Sequence, residues 1–198
     1  MKITLEFLKK FNACLEGIKF VEEKGLIGME AVDFIEKLIE LDKTEWANWL
    51  TTRVLDKINR VRYAVFAAEQ VLHIFEEKYP DDKHPRKAIE AAKAYINNPS
   101  TDTADTADAY ADDVIDISVN TAYNPNFVTP AAHAAHAAAY AAYTAAKANL
   151  PYTSSREAMD AAYAARYATK DNKILIKIIR NGIKILKEAK WKKEKFTR

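Results

Sequence analysis

The chain has 198 residues, 49% of them hydrophobic and 29% charged, with a net charge of +2. That composition excludes the disordered class, and so small a net charge gives no electrostatic case for a polyanionic partner. Four glycines and six prolines supply too few turn residues for a β-sandwich or barrel. The expected fold class is therefore all-α, a single-domain multi-helix bundle.

Cys14 is the only cysteine, so no disulfide can close within the chain and no thiolate metal cluster can form. That suits a reducing compartment. The first ten residues break their apolar run with charge, unlike a signal peptide. No stretch approaches the roughly 20 apolar residues of a membrane span. The expected location is cytoplasmic, without a membrane partner.

Leu5, Leu8, Phe11, Leu15, Ile18 and Val21 recur at steps of three and four, predicting one amphipathic helix that ends near Gly25. Val32, Ile35, Leu38 and Ile39 predict a second, stopping near Asp42, and Trp46, Trp49, Leu50 and Val54 a short third. Asp56 is the expected N-cap of a fourth helix that carries Ile58 to Phe75 and must end before Pro80. A rigid link follows, with Pro85 as the first residue of a fifth helix and Asp82 or His84 at its N-terminal end. That helix runs through Ile89, Ala92 and Ile96 to an internal break at 97–103.

Beyond the break the composition changes, and 12 of the 18 residues from Ala131 to Ala148 are alanine. Helices are predicted over 104–123, 130–149, 155–169 and 172–194. Pro125, Pro130 and Pro151 fall in the breaks, and Ser154 to Glu157 offers a capping box. From Asp102 to Asp116 there are six aspartates and no basic residue, the pattern of an acidic surface helix. Lys184 to Arg198 reads as a basic tail, with no aromatic platform for nucleic acid. Ile174, Ile178, Ile179, Ile183 and Leu186 need large partners, so the last helix should pack back on the N-terminal half.

Three constellations stand out. His133, His136, Tyr140, Tyr143 and Lys147 share one side of a helix through spacings of three, four, three and four. The default for such a stripe is semi-polar packing against alanine-lined neighbours. The competing reading is a ligand- or partner-facing surface. A metal site would need more carboxylate or histidine ligands than the chain sets beside them. Tyr163, Arg166 and Tyr167, with Asp160 a turn earlier, would supply a wall of rings and one guanidinium, suited to a planar or anionic ligand or to a protein interface. Asp82, His84 and Arg86 occupy the rigid link, where turn chemistry and capping are the simplest account. Cys14 lacks a partner that would mark it as a nucleophile and is expected to be buried as a small hydrophobe. No phosphate loop, nucleophile elbow or Ser/His/Asp order is present, so enzyme activity is not expected.

The run Tyr63 to Glu76, followed by Tyr79-Pro80-Asp81-Asp82, His84-Pro85-Arg86 and Ala88-Ile89-Glu90-Ala91-Ala92, resembles a family of immunity proteins from bacterial polymorphic-toxin systems, with phage and prophage relatives. The alanine-rich run and Asp171 to Leu175 are similar to the second half of that family. Leu8 to Phe20 is similar to an N-terminal phrase of its phage members. The Ile/Lys-rich final helix departs from the pattern. The resemblance implies a binding and neutralising role, with no catalytic residue to carry over. The expectation is a non-enzymatic protein that occludes a toxin or a host-defence component and uses no cofactor. A phage-type binder that sequesters a nucleotide signal is the alternative.

Overall fold

In a computed structural model, residues 1–121 and 129–196 are described, with the side chains of 1–116 and 129–189. Eleven α-helices account for most of the described residues: α1 (Leu5–Lys10), α2 (Leu15–Glu23), α3 (Ala31–Glu40), α4 (Thr44–Val54), α5 (Lys57–Glu69), α6 (Leu72–Lys78), α7 (His84–Asn97), α8 (Thr101–Thr121), α9 (Pro130–Ala146), α10 (Pro151–Thr169) and α11 (Asn172–Phe196). The all-α class is as the sequence implies. Pro125 and the expected end of the helix over 104–123 lie outside the described residues.

The first predicted helix is two. Asn12 takes a left-handed φ of 56°, which asparagine tolerates better than most residues. Cys14 then caps α2, its Sγ accepting from the Gly17 N–H at 3.3 Å. The elbow leaves Leu15 77% exposed in spite of its place in the apolar stripe. Cys14 is exposed as well, contrary to the expectation of burial. The fourth predicted helix also divides, at Gln70 and Val71, into α5 and α6. Its start is as expected: the Asp56 carboxylate accepts from the Asn59 N–H at 2.9 Å. The capping box at Ser154 does not form. Pro151, pre-set for a first helical turn, starts α10 earlier and leaves Ser154 and Ser155 buried inside it.

Helix α9 is the hub, packed against α5, α6, α7, α8 and α10. Neighbours on so many sides leave little room for large side chains outside the His/Tyr stripe, which accounts for the alanine run. Ala134, Ala135, Ala137, Ala138, Ala139, Ala141 and Ala142 are all fully buried. Small residues let helix axes come to the close end of the usual 8–10 Å. The N-terminal helices instead bury Phe34, Leu38, Leu50, Tyr63 and Phe75. Helix α11 packs on α3, α4, α5 and α10, as its isoleucine stripe requires. Gly182 permits that contact, because a Cβ there would lie 2.5 Å from the Thr51 methyl and 2.9 Å from the Tyr63 ring.

Candidate functional site

The predicted His/Tyr stripe of α9 divides into two halves with different surroundings. Its C-terminal half turns to α8. The Tyr143 hydroxyl donates to Asp112, and the Lys147 ammonium reaches both oxygens of Asp108 at 2.8 Å. Burial and the Asp112 hydrogen bond hold the Tyr143 phenol far above its ordinary range. This half joins α9 to the acidic helix, whose Asp102, Asp105, Asp112, Asp113 and Asp116 are exposed as expected.

The N-terminal half turns to α10. His133, His136 and Tyr140 line a groove of about 270 Å³ with Asp160, Tyr163, Ala164 and Tyr167, which sit at i, i+3, i+4 and i+7 of one α10 face. The His133 and Tyr167 rings lie 5.3 Å apart at 32°, while His136 stands 6.4 Å from His133 and 6.3 Å from Tyr140. The side chains of His133, His136, Tyr140 and Asp160 make no hydrogen bond with any described residue. Their polar atoms are not cut off from solvent, but partial burial disfavours the charged forms. The titration of these groups reflects it. Burial, reinforced by Glu157 and opposed by Arg156 and Arg53, pushes the Asp160 carboxyl up to about 6. Burial lowers both histidines, and His136 is lowered further by His133, so both imidazoles are neutral at pH 7. Burial and then the charge of Asp160 raise the Tyr140 phenol.

Arg166 does not line the groove; it ties the groove's edge to α4. Its Nη1 donates to Glu45 Oε1 and its Nη2 to the Tyr167 hydroxyl, each at 3.0 Å. The guanidinium lies 5.2 Å from the Tyr163 ring and 4.8 Å from that of Tyr167. The Tyr163 hydroxyl reaches the Glu45 carbonyl at 3.4 Å, and burial raises its phenol to about 12.

The third constellation does not converge. Asp82 Oδ1 accepts from the His84 N–H at 2.9 Å and meets its Nδ1 at 2.7 Å, the expected turn chemistry. Arg86 points elsewhere, forking onto both oxygens of Glu76 in α6 at 2.7 and 2.6 Å. This charged surface, with Lys93 on Glu69 at 2.6 Å, shares no lining residue with the α9–α10 groove.

Three features were not read from the sequence. Glu45 is Arg166's partner across 121 positions. Arg53, only 7% exposed, lies beneath Trp49 with its guanidinium 4.9 Å from that ring. Desolvation lowers it to about 10, and its Nε has no partner among the described residues. An apolar cleft lies where α1, α2, α3, α4 and α10 meet. The only signal for any of these was the pair of tryptophans in α4.

Residues 50–111, from the middle of α4 into α8, match the model of the family described as Imm-5 like putative immunity protein. No curated protein and no solved structure matches the chain. Among the described residues, no group of three or more His, Cys, Asp and Glu is placed to hold a metal ion. No helix there is long and apolar enough to cross a membrane.

Proposed function

We propose that this chain is a non-enzymatic binding protein that neutralises a protein toxin by occluding it, with the α9–α10 groove at the centre of its contact surface. The observation that carries the neutralising role is the match of residues 50–111 to an immunity-protein family. The groove supports the location. Within one stripe, Tyr143 and Lys147 are consumed by contacts to α8, whereas His133, His136 and Tyr140, like Asp160 across the groove on α10, have no hydrogen-bond partner among the described residues. Their polar atoms are open to solvent, only Arg53 Nε being buried without a partner among the described residues, so they stand available to hydrogen bonds from a partner. Tyrosine and arginine are the residues enriched at interface hot spots, and Tyr163, Tyr167 and Arg166 frame the groove. A specific interface buries about 800 Å² per partner, so the groove is the core of a larger contact. Sequestering a small molecule calls for a more enclosed cavity. A groove bordered by Tyr167, 49% exposed, favours the protein partner.

The test begins with native mass spectrometry of the chain purified from its host, which identifies a bound protein. That protein is then expressed alone and together with this chain. Arrested growth alone and restored growth together are expected. A retained small molecule, or a bound protein harmless by itself, overturns the reading.

A further inference from the structure

The apolar cleft has about 320 Å³ of space. Leu8, Val21 and Phe34 form its buried base, and Trp46, Trp49 and Met159 its walls. The α1–α2 elbow holds it open. Asn12 reverses the chain, Cys14 caps the next helix, and Gly17 keeps the mouth clear, since a Cβ there would sit 3.2 Å from the Cys14 sulfur and 3.9 Å from Trp46. The volume is at the bottom of the range for small-molecule pockets, about 300–1,000 Å³. It suits one bulky side chain, the kind of anchor that dominates protein interfaces.

Charge at the mouth narrows the occupant. Glu45 is the one charged side chain among the described lining residues. Its Oε1 takes Arg166, and its Oε2 accepts no hydrogen bond from a described residue. Glu16 and Asp42 join Glu45 around an adjoining depression. Its one lysine, Lys43, is turned onto the rings of Trp46 and Phe20, at 4.7 and 5.1 Å. Tyr163 is a wall of both this cleft and the α9–α10 groove, where Asp160 adds another carboxylate. The cleft and the groove thus share the Tyr163 wall, and each has a carboxylate beside it, Glu45 and Asp160.

We infer that this cleft is an anchor pocket for a bulky apolar side chain standing next to a basic residue on the protein partner. The inference rests on the occlusion reading above and adds the chemistry of what the partner presents: an aromatic or large aliphatic group in the cleft, its cationic neighbour on Glu45.

Tryptamine (an aromatic ring bearing an ammonium) and indole-3-acetate (the same ring bearing a carboxylate) serve as probes. The chain has three methionines, of which Met159 lines the cleft and Met1 and Met29 do not. Methyl-¹³C methionine labelling therefore gives one reporter and two controls. Tryptamine is expected to move the Met159 resonance saturably while Met1 and Met29 stay in place, and indole-3-acetate to bind about tenfold more weakly. Ala13→Leu, which adds volume to the wall, should abolish the response and weaken partner binding. Glu45→Gln should leave the fold intact and erase the preference between probes, so the inference stands testable even if Ala13→Leu fails to fold. A silent Met159, or equal affinity for both probes, overturns the pocket. Toxin neutralisation untouched by Ala13→Leu overturns the anchor and leaves occlusion standing. A chain that binds tryptamine and neutralises nothing overturns the occlusion reading and the anchor role with it.

Discussion

Helices α1–α6 bury Phe34, Leu38, Leu50, Tyr63 and Phe75, whereas the junctions of α9 with α8 and α10 close mostly on alanine. Both regions are densely buried, and they reach that state by opposite uses of volume. In the first, large side chains fill the space between helices whose axes stand apart. In the second, the helices themselves come close and little space is left. The difference locates the candidate site. A helix surrounded by neighbours and surfaced with alanine has few positions at which a ring with a polar tip fits, and His133, His136 and Tyr140 occupy the α10 side of the one stripe left over.

The contrast predicts opposite mutational sensitivities. Phe34→Ala, in the large-side-chain region, should show the largest effect, a loss of about 3–5 kcal/mol in denaturant unfolding. Ala138→Leu, at a fully buried hub position, should cost about 1–3 kcal/mol by overpacking, with the midpoint falling. If Ala138→Leu is neutral, the α9 junctions are loose and the close-approach account fails.

Asp160 sharpens the comparison at the groove. Its folded-state carboxyl is raised from 3.8 to about 6, so this group's contribution to stability is fully present below about pH 4. It is lost as pH rises through 6. A shift of about two units is nominally near 3 kcal/mol, reduced here because the side chain is partly exposed. Asp160→Asn should therefore match the parent near pH 4 and exceed it by about 1–2 kcal/mol above pH 7. The lowered histidines act in the reverse sense, stabilising at neutral pH and losing that as pH falls, so the difference between variant and parent isolates Asp160. The smallest effect belongs to the link before α7. Asp82→Ala should cost about 0.5–1 kcal/mol, read from the thermal midpoint, as the His84 N–H loses its acceptor.

Helix existence was legible almost throughout, because three- and four-residue periodicity is a local property. Interruptions were not. Phe11 and Leu15 keep the period across an elbow made by one left-handed asparagine and a cysteine cap, the latter not a usual capping signal. The apparent box at Ser154 lost to a proline three residues earlier, a competition between two start signals that spacing alone does not decide. At the site, the sequence displayed which side chains share a face but not which neighbours consume them. Tyr143 and Lys147 looked the same as His136 and Tyr140 until α8 brought Asp112 and Asp108 to meet them. The Glu45–Arg166 pair and the cleft around Trp49 and Met159 depend on contacts more than a hundred positions apart, which no local pattern records.

The central claim is that the α10-facing half of the stripe serves binding while the α8-facing half serves the fold. The double change His136→Ala with Tyr140→Ala tests it most directly, with thermal midpoint and affinity for the proposed protein partner measured on the same preparation. The account predicts affinity weakened by about a hundredfold or more, with the midpoint falling only by the packing lost from two half-buried rings. A lowered midpoint with affinity intact in the folded fraction would contradict it and leave the stripe as packing alone.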